Sequence, residues 1–196
     1  MVTVPGQPSG LGRLSDGRLL VVSMTDRRLL RLDGTQLTEV SDLSALAPFH
    51  CNDMVVDAKG RAYIGNFGFD FAAKQAPCTT NLIMVQPDGL ARVVADELLF
   101  PNGTVITPDG RTLIIGESYA SRLSAFDIAD DGSLSSRRVW ATLGNAAPDG
   151  ISLDAEGAIW LASPMSRMVA HCLWRRPRSC CQPNNHCKPR PAPSTP

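Results

Sequence analysis

The sequence has no excess of either charge. Lys+Arg and Asp+Glu both total 19 in 196 residues, for a formal net charge of zero. With no net field to draw a polyanion, neither nucleic acid nor an anionic membrane is an expected partner. No apolar run approaches the roughly 18 residues that a spanning helix needs. The opening MVTVPGQPSG has neither a basic stretch nor a long apolar core, so it does not read as a secretory signal, and a cytoplasmic location is the expectation. In a reducing compartment a disulfide framework is not expected either. Cys51 and Cys78 lie in the body of the chain, whereas Cys172, Cys180, Cys181 and Cys187 crowd its last 25 residues. Long amphipathic helices are missing too: DLSALAPF from Asp42 holds at most one helical turn before Pro48 ends it. Without helices of ten or more residues between strands, a parallel α/β fold is excluded.

What is present is a repeat. PSGLGRLSDGRLLVVS from Pro8, CNDMVVDAKGRAYIGN from Cys51, PNGTVITPDGRTLIIG from Pro101 and PDGISLDAEGAIWLAS from Pro148 each read as strand, tight turn, strand. Their turn glycines, Gly17, Gly60, Gly110 and Gly157, are separated by 43, 50 and 47 residues, the spacing of propeller blades. Asp33-Gly34, Asp88-Gly89 and Asp131-Gly132 mark a second hairpin in the intervening segments. Two hairpins per repeat predict four-stranded antiparallel blades, hence an all-β fold, a β-propeller. At roughly 47 residues per blade, residues 1–169 hold about three to four blades, where closed propellers have typically four to eight. An incomplete ring exposes blade edges, so self-association is expected.

The phase of the repeat picks out a site. Eight positions before each turn glycine stand Ser9, Asn52, Asn102 and Asp149. The first strand of each propeller blade lines the central channel, so these four side chains are expected to converge at one mouth. Asn and Asp also form turns by bonding their own backbone. Three amide or carboxylate groups at matched phase instead suggest an oxygen-rich site for a hard divalent cation, Ca²⁺ or Mg²⁺. Zn²⁺ remains open, although it more usually recruits His or Cys. Open coordination positions would suit Lewis-acid hydrolysis. Ser9 has no His at matching phase, which disfavours a serine nucleophile.

CNDMVVDAKGRAYIGNFGFD, LLFPNGTVITPDG, ESYASRLSAFDIADDGSLSSRRVWA and APDGISLDAEGAIWLA resemble the senescence marker protein/gluconolactonase/luciferin-regenerating-enzyme family, in family order, from about Gln7 to Val169. The resemblance implies a six-bladed propeller that hydrolyses lactones with a metal in its channel. It implies that Asn102 and Asp149 are metal ligands, that Asp149 is also the general base, and that Asn52 contacts the substrate. A first-blade Glu that completes the family's ligand set has no counterpart, since the first 25 residues contain no Glu. The expectation is therefore a lactone hydrolase or a remnant of one, shortened at both ends. A non-catalytic binding scaffold and an inactive gene fragment are the alternatives.

Residues 170–196 break the pattern with a Pro-, Arg- and Cys-rich tail, read as a disordered extension or the product of a frame shift. A zinc knuckle from His171, Cys172, Cys180, Cys181, His186 and Cys187 lacks any C-x-x-C pair and is disfavoured. Glu117 and Arg122 are expected to form an interstrand ion pair or a solvated turn, Trp140 and Trp160 to be core, and His50 to be a solvated loop residue. The segment GFDFAAKQAPCTT from Gly68 reads either as a lid or as a plain insertion.

Overall fold

Alternation of aliphatic and polar residues around glycine turns leaves the chain little choice but antiparallel hairpins. In the computed structural model, which describes residues 1–173 and the backbone of Lys188–Pro189, these hairpins assemble into four separate four-stranded sheets. The first holds β1 (Pro8–Arg13), β2 (Leu19–Ser23), β3 (Arg28–Asp33) and β4 (Gln36–Asp42). The second holds β5 (Cys51–Val56), β6 (Ala62–Asn66), β7 (Thr80–Val85) and β8 (Ala91–Leu98). β9 (Pro101–Ile106), β10 (Thr112–Glu117), β11 (Arg122–Ile128) and β12 (Leu134–Thr142) make the third. The fourth holds β13 (Ile151–Leu153), β14 (Ile159–Ser163), β15 (Met168–Cys172) and β16 (Lys188–Pro189). Each sheet meanders in chain order, as the doubled hairpin predicts. Gly17, Gly60, Gly110 and Gly157 all adopt positive φ at the inner turns, the conformation that glycine accepts without strain. Of the tail, β16 pairs with β15 at Ala170 and His171, while 174–187 and 190–196 lie outside the described residues.

The sheets stack as blades. Successive first strands β1, β5, β9 and β13 pack against one another, and each of three apolar clusters sits between consecutive sheets. Leu20, Val22 and Leu29 meet Met54, Ile64 and Ile83 between the first and second. Tyr63, Leu82 and Met84 meet Leu113, Ile115 and Phe126 between the second and third. Ile114, Leu123 and Trp140 meet Ile159, Leu161 and Ala170 between the third and fourth. Among the described residues no such cluster joins the fourth sheet to the first. The arrangement is an arc of propeller blades, and the predicted all-β architecture holds.

The far end of the arc, away from the inner-strand starts, is clamped by polar contacts. Arg61 forms a buried ion pair with Asp57 at 2.6 Å and donates to the Asp130 carbonyl of the next blade at 2.8 Å. The Tyr63 hydroxyl donates to the Gly132 carbonyl of the same hairpin. Trp140 is buried as expected, but Trp160 is only half-buried. It stacks on His171 at 4.2 Å, and His171 in turn bonds Asp154 at 2.8 Å, on the face turned away from the blade interface. Of the six residues weighed as a zinc knuckle, His171 and Cys172 are thus strand residues of β15. Cys180, Cys181, His186 and Cys187 lie outside the described residues. No helix of the described residues is long and apolar enough to cross a membrane.

Gly103 shows how closely the blades approach. A side chain there would overlap the Asp149 carbonyl and the Ile151 amide of the next blade. Gly103→Ala is therefore expected to cost about 1–3 kcal/mol by prying the third and fourth blades apart. Urea denaturation checks this, since an unchanged midpoint would contradict so close a contact.

Candidate functional site

The positions singled out by repeat phase share one local geometry. Pairing of β1 with β2 shifts register between Pro8 and Leu11, and pairing of β5 with β6 shifts between Cys51 and Met54. The β9–β10 pair shifts in the same way between Ile115 and Glu117, opposite Thr104 and Pro101. Each first strand therefore opens on a bulge, holding Ser9-Gly10, Asn52-Asp53 or Asn102-Gly103. A bulge releases a residue from the ladder and re-aims its side chain. In the fourth blade Asp149 precedes β13, and its N–H bonds the Ala162 carbonyl of β14. Asn and Asp are not serving simple turns at these positions.

The bulges connect blade to blade. The Ser9 hydroxyl donates to Asn52 Oδ1 at 3.5 Å, and Asn52 Nδ2 donates to the Pro101 carbonyl at 3.4 Å. Asn102 Nδ2 donates to Ser118 Oγ at 3.3 Å, and the Ser118 hydroxyl donates to the Pro148 carbonyl at 2.6 Å. Gly103 N–H donates to the Asp149 carbonyl at 2.9 Å, so the third and fourth blades are joined directly beside the site. These hydrogen bonds, with the peptide links Pro101–Asn102 and Pro148–Asp149, make one line from Ser9 through Asn52 and Asn102 to Asp149. Ser118 lies in a one-turn 3₁₀ segment, Ser118–Ala120, and carries no repeat signal that marks its role in advance.

The line uses up donors and leaves acceptors. Among the described residues, Asn102 Oδ1 and both carboxylate oxygens of Asp149 receive no hydrogen bond or ion pair. Asp53 adds a second carboxylate that repeat phase alone does not pick out. Its Oδ1 accepts from the Met54 N–H at 2.9 Å. Burial pushes its carboxyl above the usual range, the Met54 bond opposes that, and the charge of Asp149 raises it further. The Asp53 carboxyl thus lies within reach of the Asp149 charge. Its sequence signal is the Asn-Asp pair itself, since both residues fall within the bulge that opens β5.

These donors are oxygens, with no His or Cys at the same phase, which is the chemistry of a hard divalent cation such as Ca²⁺. No three His, Cys, Asp or Glu side chains gather into a metal-holding group among the described residues. The set therefore rests on Asn102 and Asp149, with amide and carbonyl oxygens around them, and is poor in negative charge.

Two other expectations resolve here. Glu117 and Arg122 do form an ion pair at 2.9 Å, but the carboxylate is completely buried. It also takes Arg137, the Ser124 hydroxyl and the Leu99 N–H. His50 is not simply solvated, since its ring stacks on Phe49 at 4.1 Å. Cys51, beside Asn52, is buried, and burial pushes its thiol up to about 12, far from a nucleophilic thiolate.

Comparison with known proteins places the arc. Regucalcin of Danio rerio is 30% identical over 129 residues, covering 64% of this chain and 43% of that protein. A luciferin-regenerating enzyme superposes with a TM-score of 0.73 at 20% identity, over 87% of this chain and 60% of that one. A calcium-binding regucalcin from Agrobacterium tumefaciens gives 0.71 at 24% identity, over 86% and 57%. A gluconolactonase from Xanthomonas campestris gives 0.68 at 23% identity, over 85% and 59%. The chain thus spans about half the length of the relatives it matches. The SMP-30/Gluconolactonase/LRE-like region matches residues 1–174, and the chain belongs to that family.

Proposed function

We propose that this chain carries the catalytic mouth of a metal-dependent lactone hydrolase. The observation that carries the reading is the line of inner-strand openings, which ties amide and carboxylate groups of successive blades together and leaves the acceptor oxygens of Asn102 and Asp149 unspent. Asn102 Oδ1 and Asp149 would hold the cation, Ca²⁺ before Mg²⁺ or Zn²⁺ on donor type. A cation held by these two residues would supply Lewis-acid polarisation of a lactone carbonyl and stabilisation of the charge developing on its oxygen. Asn52 presents its amide to the substrate, its orientation held by Ser9 and the Pro101 carbonyl. Asp149 takes a proton from the attacking water, whose oxygen forms the new bond to the acyl carbon. The ring C–O bond then breaks, the proton passes to the leaving alkoxide, and a hydroxy acid results. Nothing is oxidised or reduced. A cytoplasmic setting belongs to the same proposal.

With one carboxylate between Asn102 and Asp149, cation affinity is expected to be weak, with Kd of about 10⁻⁴–10⁻³ M. Calorimetric titration with Ca²⁺, Mg²⁺ and Zn²⁺, alongside lactone hydrolysis with and without chelator, tests the reading. Saturable Ca²⁺ binding with chelator-sensitive hydrolysis supports it. If no cation binds and no lactone opens, the reading of a non-catalytic scaffold or inactive fragment takes its place.

Self-association belongs to the proposal as well. Leu11 at the first blade and Val169 at the last are 62% and 54% exposed, and apolar faces left open at the ends of an arc favour pairing with a second copy. Sedimentation velocity is expected to give species larger than the monomer, and a single monomer boundary at micromolar concentration would contradict it.

A further inference from the structure

Aromatic residues are scarce in this chain, at 6%, yet five of its six phenylalanines meet at one place. Phe49 and His50 come from the loop before β5, Phe67, Phe69 and Phe71 from the loop after β6, and Phe100 from the residues before β9. Tyr119 comes from the 3₁₀ turn after β10. In an antiparallel meander all four segments lie at the end where the inner strands start, the end that carries Asn52 and Asn102. Phe100 is the hub. Its ring stacks on Phe67 at 4.6 Å and meets Tyr119 at 5.3 Å, Phe69 at 5.7 Å and Phe71 at 6.4 Å.

The rings are tied to the polar line by the chain itself. Phe100 immediately precedes Pro101, whose carbonyl takes the Asn52 amide. Its own carbonyl accepts from the N–H of Ser118, the residue that holds Asn102 and precedes Tyr119. Phe100 also sits at φ 56°, a left-handed conformation that costs a bulky side chain about 1–3 kcal/mol. Gln7, immediately before Pro8 of β1, takes the same conformation at φ 66°, so this backbone belongs to the entry of the inner strand and fixes where the Phe100 ring stands. A cluster that served only to fill a loop would hide its rings. Phe69 is buried, but Phe71 remains 56% and Tyr119 43% exposed. Asp70 in the same loop turns back to cap the Ala73 N–H, so its charge is not presented along the rings.

We propose that this aromatic wall binds the non-reacting part of the substrate, which is a lactone or ester bearing an aromatic or extended apolar group rather than a polyhydroxylated ring. The inference rests on the hydrolase reading above. Flat π faces reward stacking and apolar contact, whereas a sugar-like ring needs a dense set of fixed donors and acceptors that this wall does not offer. The bound group lies along Phe71, Phe100 and Tyr119, and its carbonyl reaches the Asn102 and Asp149 oxygens.

Steady-state hydrolysis of 3,4-dihydrocoumarin against glucono-1,5-lactone, with Ca²⁺ saturating, tests the wall. The aromatic lactone is expected to win in kcat/KM by tenfold or more, of order one stacking contact plus burial. Phe71→Ser and Tyr119→Ala are each expected to raise KM for dihydrocoumarin about tenfold, with the loss in KM rather than kcat. Val139→Ser, on an exposed strand position of β12 away from the mouth, serves as the folding control and is expected to keep the preference. Preference for the sugar lactone, or variants that leave the aromatic KM unmoved, overturns the proposal. If neither lactone is hydrolysed, the hydrolase reading fails separately. Saturation-transfer NMR with the non-hydrolysable lactam analogue, 3,4-dihydro-2-quinolinone, then decides the wall alone. Binding that Tyr119→Ala abolishes sustains it, and absence of binding ends it.

Discussion

Asp149→Asn is expected to lower lactone hydrolysis by about 10²–10⁴-fold while leaving the melting temperature essentially where it was. The two halves of that expectation have different sources. The Asp149 side chain makes no hydrogen bond or ion pair among the described residues, so its removal strands no partner. Its backbone is what holds structure together, giving its carbonyl to Gly103 and its N–H to Ala162. Asn keeps the shape and that backbone but gives up both the negative charge and the ability to accept the proton of water. Hydrolysis should be measured with Ca²⁺ shown to be bound by calorimetry, so that the loss of a base is separated from the loss of a ligand. A variant that binds Ca²⁺ and hydrolyses like the parent removes Asp149 from the role of base.

Replacing Glu117 is expected to destabilise the third blade, with Glu117→Ala costing about 2–3 kcal/mol through the buried donors it leaves unpaired. Burial alone would push the Glu117 carboxyl up, but hydrogen bonds from Arg122, Ser124, the Leu99 N–H and Arg137 outweigh it and hold it below its ordinary value of 4.5. Arg122 and Arg137 are each about a third exposed and regain water if Glu117 is lost; the Leu99 N–H and the Ser124 hydroxyl are left less well served. Because the folded-state value is depressed, the group contributes stability that is fully present above pH 4.5 and is lost as pH falls through the lower folded value. Denaturant midpoints between pH 7 and 3 should therefore drop on the acid side for the parent and drop less steeply for Glu117→Gln. Parallel curves would show that the carboxylate carries no such linkage. Leu99 adjoins Phe100, so the same variant should also loosen the aromatic wall, raising KM for an aromatic lactone.

Much of this molecule follows from local patterns. Strand alternation and the recurring glycine turns specify hairpins because a positive φ and a two-residue side-chain period leave few other conformations. The spacing of Gly17, Gly60, Gly110 and Gly157 then sets blade size, and repeat phase locates Ser9, Asn52, Asn102 and Asp149 on equivalent inner positions. The resemblance to family motifs supplies roles for three of them, with metal and substrate contacts as the proposal.

Other features depend on contacts that span the sequence. Asn52 meets the Pro101 carbonyl across 49 residues, and Ser118 reaches Pro148 across 30. No periodicity announces either, because Ser118 belongs to an irregular turn. Asp53 becomes visible as a site carboxylate only when folding buries it in the bulge within reach of the Asp149 charge. Glu117 and Arg122 read as an interstrand ion pair or a solvated turn until folding buries the carboxylate and adds Arg137 from β12. The phenylalanines are scattered between positions 49 and 100, and only the meander brings their loops to one end. The sequence by itself determined the blades and the phase of their polar positions, since both follow from short-range backbone geometry. Which acceptors stay unspent, which charge is buried and where the aromatic wall stands were decided by packing between blades, because burial and partner choice are properties of the assembled arc.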